Sequence, residues 1–363
     1  MKKCYKLVVV KIGSNVLTRA DGALDFTRLS SLVDQIVELR SAGVRVIVVS
    51  SGAVAAGRSA VVAEGKRLDS VSQRQLFSAV GQVKLINKYY ALFHDHGIVC
   101  GQVLTTKESF SSRTHYLNQQ NCMRVMLDGG VVPIVNENDT VSVTELMFTD
   151  NDELSGLVAT MMGVDALVIL SNIDGIYDGD PSKAESKVIR EIDPQATDIS
   201  TYITPAKSQF GRGGMLTKSR ISRKVADEGI EVIVANGRTE SILPRLLLSD
   251  EDVVSTRFIP SQKAVSGVKR WIAHSDGFAK GRVIIDDNAL RVLLSSAASL
   301  LPVGVVRVEG EFERHDIVKI VSSGGEVIGV GRIAVDSTEA RATAGVRGAK
   351  PIIHYDYLYI EEQ

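Results

Sequence analysis

Six short runs of Val, Ile and Leu, separated by longer amphipathic stretches, constrain the fold of this chain more than any other feature. Leu7–Ile12, Val44–Val49, Ile98–Leu104, Val131–Val135, Ala166–Leu170 and Ile230–Ala235 are too short for buried helices and rich in β-branched side chains. Each is expected to be a strand covered on both faces. Between them the period changes. Leu29, Leu32, Val33, Ile36 and Val37 recur at helical spacing, and Gly43 stops that helix. Asn118–Asp128 closes on Gly129-Gly130, and Asp152–Met162 on Gly163. Continuous apolar strands alternating with helices predict an α/β protein, a three-layer αβα sandwich around a mainly parallel sheet. Ligands of such sheets bind beyond the carboxyl ends of the strands, so chemistry is expected in the segments that follow them.

The pattern shifts near Arg257-Phe-Ile-Pro-Ser-Gln-Lys-Ala-Val-Ser-Gly267. Residues 1–257 are expected to form the first domain, 258–266 a linker and 267–363 a second domain. In the latter, Gly281–Ile285, Gly304–Val308, Ile317–Val321, Val327–Val330 and Leu358–Ile360 are short β-rich runs divided by turn signals, with one helical stretch at Asn288–Ser299. A small β-barrel-like module is expected there. At 363 residues two domains are the ordinary outcome.

Composition excludes several classes. The formal net charge of −1 offers no broad basic surface for nucleic acid or anionic lipid. Cys4, Cys100 and Cys122 have no metal-ligand or disulfide spacing, so no metal-ligating residues are expected. The apolar run after the basic N-terminus ends at Lys11, too short for a signal peptide, and no stretch of about 18 apolar residues occurs elsewhere. A cytoplasmic protein without membrane partners is expected.

Six segments could carry chemistry. Lys11-Ile-Gly13-Ser14-Asn15 can aim an ammonium at phosphate, although a strand-terminal lysine is usually a solvated edge charge. Ser50-Ser51-Gly52-Ala53-Val54-Ala55-Ala56-Gly57 feeds small residues into a helix start, suited either to an anion or to close packing. Asn136-Glu137-Asn138-Asp139 and Thr149-Asp150-Asn151-Asp152 concentrate carboxylates and amides that suit the two ends of an amino acid, with Asp150 or Asn151 also able to cap a helix. Ser171-Asn172 follows the fifth strand. Farther on, Gly211-Arg212-Gly213-Gly214-Met215-Leu216-Thr217-Lys218 is glycine-rich but lacks the Gly-Lys-Ser/Thr closure of a Walker A loop.

In this order and spacing, VVVKIGSNVLT (8–18), VVSSGAVAAG (48–57), QLFSAVGQ (75–82), PIVNENDTV (133–141), FTDNDELSGLVA (148–159), LSNIDGIYDGDP (170–181) and GRGGMLTK (211–218) resemble the amino-acid kinase family. Residues 295–332 resemble the PUA domain appended to many bacterial members. The resemblance covers nearly the whole chain and implies the amino-acid kinase fold with a PUA domain. The implied activity is ATP-dependent phosphorylation of the side-chain carboxylate of glutamate, the entry to proline synthesis, with Mg²⁺ on the ATP phosphates. Carried over by position, Lys11 contacts the transferring phosphate, Lys218 meets it from the other side and Asp152 orients both lysines. Ser51, Asp139 and Asn151 bind glutamate. Lys11, Ser171, Asn172, Arg212, Gly213, Gly214, Met215, Leu216, Thr217 and Lys218 serve ATP. The implied partners are glutamate and ATP, with proline as a candidate feedback inhibitor, glutamyl-phosphate reductase as a candidate recipient of the product, and a homo-oligomer. Three positions depart from the common pattern: Ser171-Asn172 replaces Thr-Asp, Arg212 replaces Thr, and Thr149 replaces Gly.

The nucleophile needs no base. A glutamate side chain with a pKa of about 4.3 is ionised at neutral pH, and none of the six histidines lies in a candidate segment. The task is to hold two anions in line and neutralise the moving phosphoryl group. Rival readings are a kinase for aspartate, N-acetylglutamate or UMP, and an RNA-binding protein acting through the PUA domain. The acidic segments favour a free amino group. The 12 Lys+Arg against 13 Asp+Glu in 267–363 argue against RNA.

Overall fold

A computed structural model of the chain describes residues 4–61, 68–110, 113–142, 148, 150–181, 183, 185–193, 215–262, 272, 278–296 and 298–360. Two compact units divide the chain, one of residues 1–109 and 114–264, the other of 110–113 and 265–363.

Among the described residues the first unit is built on eight strands: β1 (Leu7–Ile12), β2 (Arg45–Ser50), β3 (Cys100–Thr105), β4 (Val132–Glu137), β5 (Ala166–Ser171), β6 (Glu191–Ile192), β7 (Glu231–Asn236) and β8 (Thr256–Phe258). They lie in the order β3-β4-β2-β1-β5-β7-β8-β6. All pairings from β3 to β7 are parallel, β8 is antiparallel to β7, and β6 is parallel to β8. Val10 of β1 stands opposite Val48 and Val168. From β1 the chain fills one side of the sheet through β2, then crosses to β5 on the other. This leaves the switch point where such sheets bind ligands at the carboxyl end of β1.

The helices are α1 (Ser14–Leu17), α2 (Phe26–Ser41), α3 (Ala53–Arg58), α4 (Ser70–Asp95), α5 (Arg113–Asp128), α6 (Asn151–Met162), α7 (Met215–Asp227) and α8 (Ile242–Leu247). Strand alternation sends Val8, Val10, Ile12, Val46 and Val48 into one core with Leu32 and Ile36 of α2, Leu85 and Phe93 of α4, and Leu243 of α8. The intervening Val9, Ile47, Val49, Leu167 and Ile169 are equally buried and face the other side. There α6 packs on β1, β5 and α7. Every residue of α6 from Leu154 to Met162 is buried, as befits a helix held between a sheet and a second helix.

All six expected strands are present, most of them running one or two residues farther into polar sequence. Asn136 and Glu137, expected after the fourth strand, belong to β4, because their backbones continue the ladder with Leu104 and Thr105. Phe258, expected as the first linker residue, ends β8 and is fully buried.

The helix pair α3–α4 explains two glycines. A Cβ on Gly57 would lie 1.7 Å from the Phe77 carbonyl oxygen, and one on Gly81 would lie 1.7 Å from that of Ala53. Each helix thus uses a glycine to admit the other's backbone, so the small residues of 50–57 serve helix–helix contact as well as the turn.

The second unit carries β9 (Gly281–Ile285), β10 (Val305–Gly310), β11 (Ile317–Val321), β12 (Val327–Arg332) and β13 (Leu358–Ile360) in the order β10-β9-β11-β12-β13. Among these strands β9–β11 is parallel and the other pairs are antiparallel. Its core gathers Val283, Ile285, Val318, Ile320 and Ile353, with Leu293 from α9 (Asp287–Ser295) and Ala340 from α10 (Ser337–Thr343). No helix among the described residues is long and apolar enough to cross a membrane.

Candidate active site

The carboxyl ends of β1, β2, β4 and β5 open on one cavity of about 470 Å³, the size of a small-ligand site. Lys11, Asp152 and Lys218 line it together with Ser51, Asp139 and Asn151, and Ser171 and Asn172 reach it as well. These eight residues come from segments up to about two hundred residues apart. Arg212, Gly213 and Gly214 lie outside the described residues, as does Thr149. Met215, Leu216 and Thr217 start α7, the side chain of Leu216 being outside the described residues, and neither Met215 nor Thr217 lines the cavity.

Asp152 ties the two lysines together. It sits in the first turn of α6 with no exposure. One of its oxygens is 2.5 Å from Lys11 Nζ and the other 2.9 Å from Lys218 Nζ. Burial pushes the carboxyl up, but the two ammonium groups outweigh it and hold the acid below the usual carboxylate range. Lys11 can stand here because it closes a strand whose next residues are small. The Gly13 N–H donates to the Leu170 carbonyl (3.2 Å), and a Cβ on Gly13 would lie 3.1 Å from that oxygen.

The neighbours of Asp152 have different tasks. Asp150 caps α6, its Oδ1 accepting from the Asp152 N–H (2.8 Å) and Glu153 N–H (3.0 Å). Its Oδ2 is buried and accepts no hydrogen bond among the described residues. Burial, and then the charge of Asp152, push the Asp150 carboxyl up to about 6. Asn151 donates from Nδ2 to Ser51 Oγ (2.8 Å), with the Ser50 carbonyl and Asn136 Oδ1 each at 3.3 Å. Asn136 donates in turn to Gln82 Oε1 (2.9 Å), which joins the QLFSAVGQ helix to the site. Ser51 is presented by Gly52, whose φ of +104° an L side chain would resist.

Asp139 is buried and already engaged. Arg74, from α4, donates to its Oδ1 through Nε (2.8 Å) and Nη2, and reaches Glu137 Oε2 at 3.4 Å. Ser78 Oγ lies 3.4 Å from Asp139 Oδ2. Burial raises the Asp139 carboxyl, opposed by Arg74. Glu137 accepts from the Phe148 N–H (2.9 Å), and burial followed by the charge of Asp139 lifts it to about 7. Sequence reasoning placed Asp139 at the site, quoted Gln82 within the QLFSAVGQ run without giving it a role, and passed over Arg74. Arg74 stands near the start of α4 and Gln82 at its middle, and the β4 end 63 or 54 residues away in sequence gives them their contacts.

Among the described residues no group of three or more His, Cys, Asp or Glu side chains could hold a metal ion. Asp150, whose Oδ2 accepts no hydrogen bond among the described residues, is a carboxylate of the cavity that could hold a metal, and the two ammonium groups suit phosphate oxygens.

Comparison with known proteins agrees with this architecture. Residues 6–236 match the amino acid kinase family and residues 281–355 the PUA domain. The chain is 63% identical to the glutamate 5-kinase of Bacteroides thetaiotaomicron over 99% of its own length and 100% of the relative. It is 49% identical to that of Chlorobaculum tepidum over 98% of each. Carbamate kinase from Giardia lamblia bound to AMP-PNP shares the fold at a TM-score of 0.51 and 15% identity, over 71% of this chain and 99% of its own. The chain belongs to the amino acid kinase family, within its glutamate 5-kinase branch that carries a PUA domain.

Proposed function

We propose that this chain transfers the γ-phosphoryl group of ATP to the side-chain carboxylate of glutamate, giving L-glutamyl 5-phosphate and ADP in the first step of proline biosynthesis. The observation that carries the reading is its likeness, over practically the whole length of each chain, to two curated glutamate 5-kinases. The cavity supports it with a chemistry of charge rather than of proton transfer. A glutamate carboxylate oxygen bonds to the γ-phosphorus as the bond to the ADP oxygen breaks, and no proton moves. Lys11 and Lys218 meet the charge that develops on the transferring oxygens, and buried Asp152, in contact with both ammonium groups, aims them. Ser51, Asp139 and Asn151 hold glutamate, while Ser171, Asn172 and 212–218 serve the nucleotide. Mg²⁺ bound to the ATP phosphates would supply further neutralisation. The first domain, extended through Phe258, carries this chemistry, with the linker running from there to residue 266 and 267–363 as a PUA domain that is not expected to bind RNA. Cytoplasmic location, a homo-oligomer, inhibition by proline and hand-over to a glutamyl-phosphate reductase belong to the same reading.

Hydroxylamine traps acyl phosphates as hydroxamates, so the test is hydroxamate yield with ATP and each candidate acceptor. Product should require glutamate, ATP and Mg²⁺ together. Preferential turnover of aspartate, N-acetylglutamate or UMP would replace the assignment.

A further inference from the structure

Arg74 lines the cavity and has no part in the reaction just described. It stands beside Asp139, a carboxylate of the proposed glutamate site whose negative charge suits the substrate ammonium, and makes with it a pair of opposite charges. Glutamate carries the complementary pair, an ammonium and a carboxylate on one carbon atom. An ammonium that docks on Asp139 brings its α-carboxylate next to the guanidinium. Arg74 has donors for it. Nε and Nη2 serve Asp139 and Glu137, whereas Nη1 has no partner among the described residues. The side chain is 27% exposed, enough to meet a solute, and Glu137 steadies the guanidinium from the protein side. Planar guanidinium groups bind carboxylates in fixed geometry, which suits recognition better than a lysine would.

We infer that Arg74 reads the α-carboxylate of the amino acid substrate and so sets the requirement for an intact amino acid head group. The inference rests on the reading of this cavity as a glutamate site. Two truncated analogues separate its terms: 4-aminobutyrate lacks the α-carboxylate, and glutarate lacks the ammonium. Their Ki values against glutamate, and the KM for glutamate, would be measured in the full-length protein and in Arg74→Gln and Arg74→Lys. Losing a charge-assisted contact costs about tenfold to hundredfold in affinity, so glutamate and glutarate should weaken by that much in Arg74→Gln while 4-aminobutyrate changes by less than about threefold. Arg74→Lys should fall between the two, and it carries the test if Arg74→Gln fails to fold. Equal weakening of all three ligands would reduce Arg74 to a support for Asp139. Weakening of glutamate without glutarate would mean that Arg74 acts on the ammonium through Asp139. Either result overturns the inference. Failure of the glutamate reading itself would show in the wild-type protein, as turnover of another acceptor in place of glutamate.

Discussion

Replacing Asp152 by Asn removes one charge from between two ammonium groups and leaves the side-chain size almost unchanged. The carboxylate is fully buried, with its oxygens 2.5 and 2.9 Å from Lys11 and Lys218. Neutralising one partner of a buried ion pair costs about 3–5 kcal/mol. Here the lysine side chains retain 6% and 12% exposure and can turn toward cavity water, which places the loss near 3 kcal/mol or slightly below. Turnover should suffer more. The net charge of the trio rises from +1 to +2, the ammonium groups repel, and a displacement of about 1 Å from the phosphoryl path costs roughly a hundredfold. Urea denaturation would read the first effect and hydroxamate formation the second. The expected outcome is a kcat lower by about a hundredfold to a thousandfold, with the KM for ATP unchanged or lower because the added positive charge favours the nucleotide. A kcat within threefold of wild type would show that the lysines are aimed by something other than Asp152.

Three further predictions rest on the same geometry. Glu137, lifted from 4.5 to about 7, binds its proton more tightly in the folded chain than in the unfolded one, so its ionisation destabilises the fold as pH rises through that window. Glu137→Gln should therefore gain about 1–3 kcal/mol over wild type between pH 5 and 8, read from urea midpoints at each pH, and a constant difference would refute the burial account. Gly81→Ala drives a Cβ to 1.7 Å from the Ala53 carbonyl, so α3 and α4 must part, costing about 3 kcal/mol or more by thermal or urea unfolding; a loss below about 0.5 kcal/mol would mean that the crossing yields easily. A chain ending at Pro260 should keep part of its glutamate-dependent turnover, because the described lining of the cavity ends at Lys218. A folded but inactive truncation would assign the second unit a place in catalysis.

Much of the first unit was legible because its strands are apolar on both faces, a pattern that only a covered parallel sheet satisfies. Their polar ends were not. Asn136 and Glu137 look like loop residues in sequence, yet remain in the ladder because their side chains find Gln82, Asn151 and the Phe148 N–H once folded. The lysine–aspartate trio was legible through resemblance rather than spacing, since Lys11 and Lys218 meet only at a third residue. Arg74 was illegible for a different reason. An arginine on an amphipathic helix is ordinarily a solvated charge, and what distinguishes this one is the pair of buried carboxylates brought to it by β4 and the segment after it. Gly81 likewise carries no sign in sequence of the backbone pressed against it.

Three successive residues, Asp150, Asn151 and Asp152, occupy the first turn of α6 and its cap, and successive helical positions point about 100° apart. One helix end thus divides itself radially: one direction fastens the backbone, the next touches Ser51, and the third touches the two ammonium groups. The rest of α6, encased from Leu154 to Met162, has no freedom to roll about its axis. In the proposed reaction, the angle between acceptor and phosphoryl donor is then held by a single helix rather than negotiated among loops. Inserting or deleting one residue between Asp152 and Leu154 would swing the three directions round together.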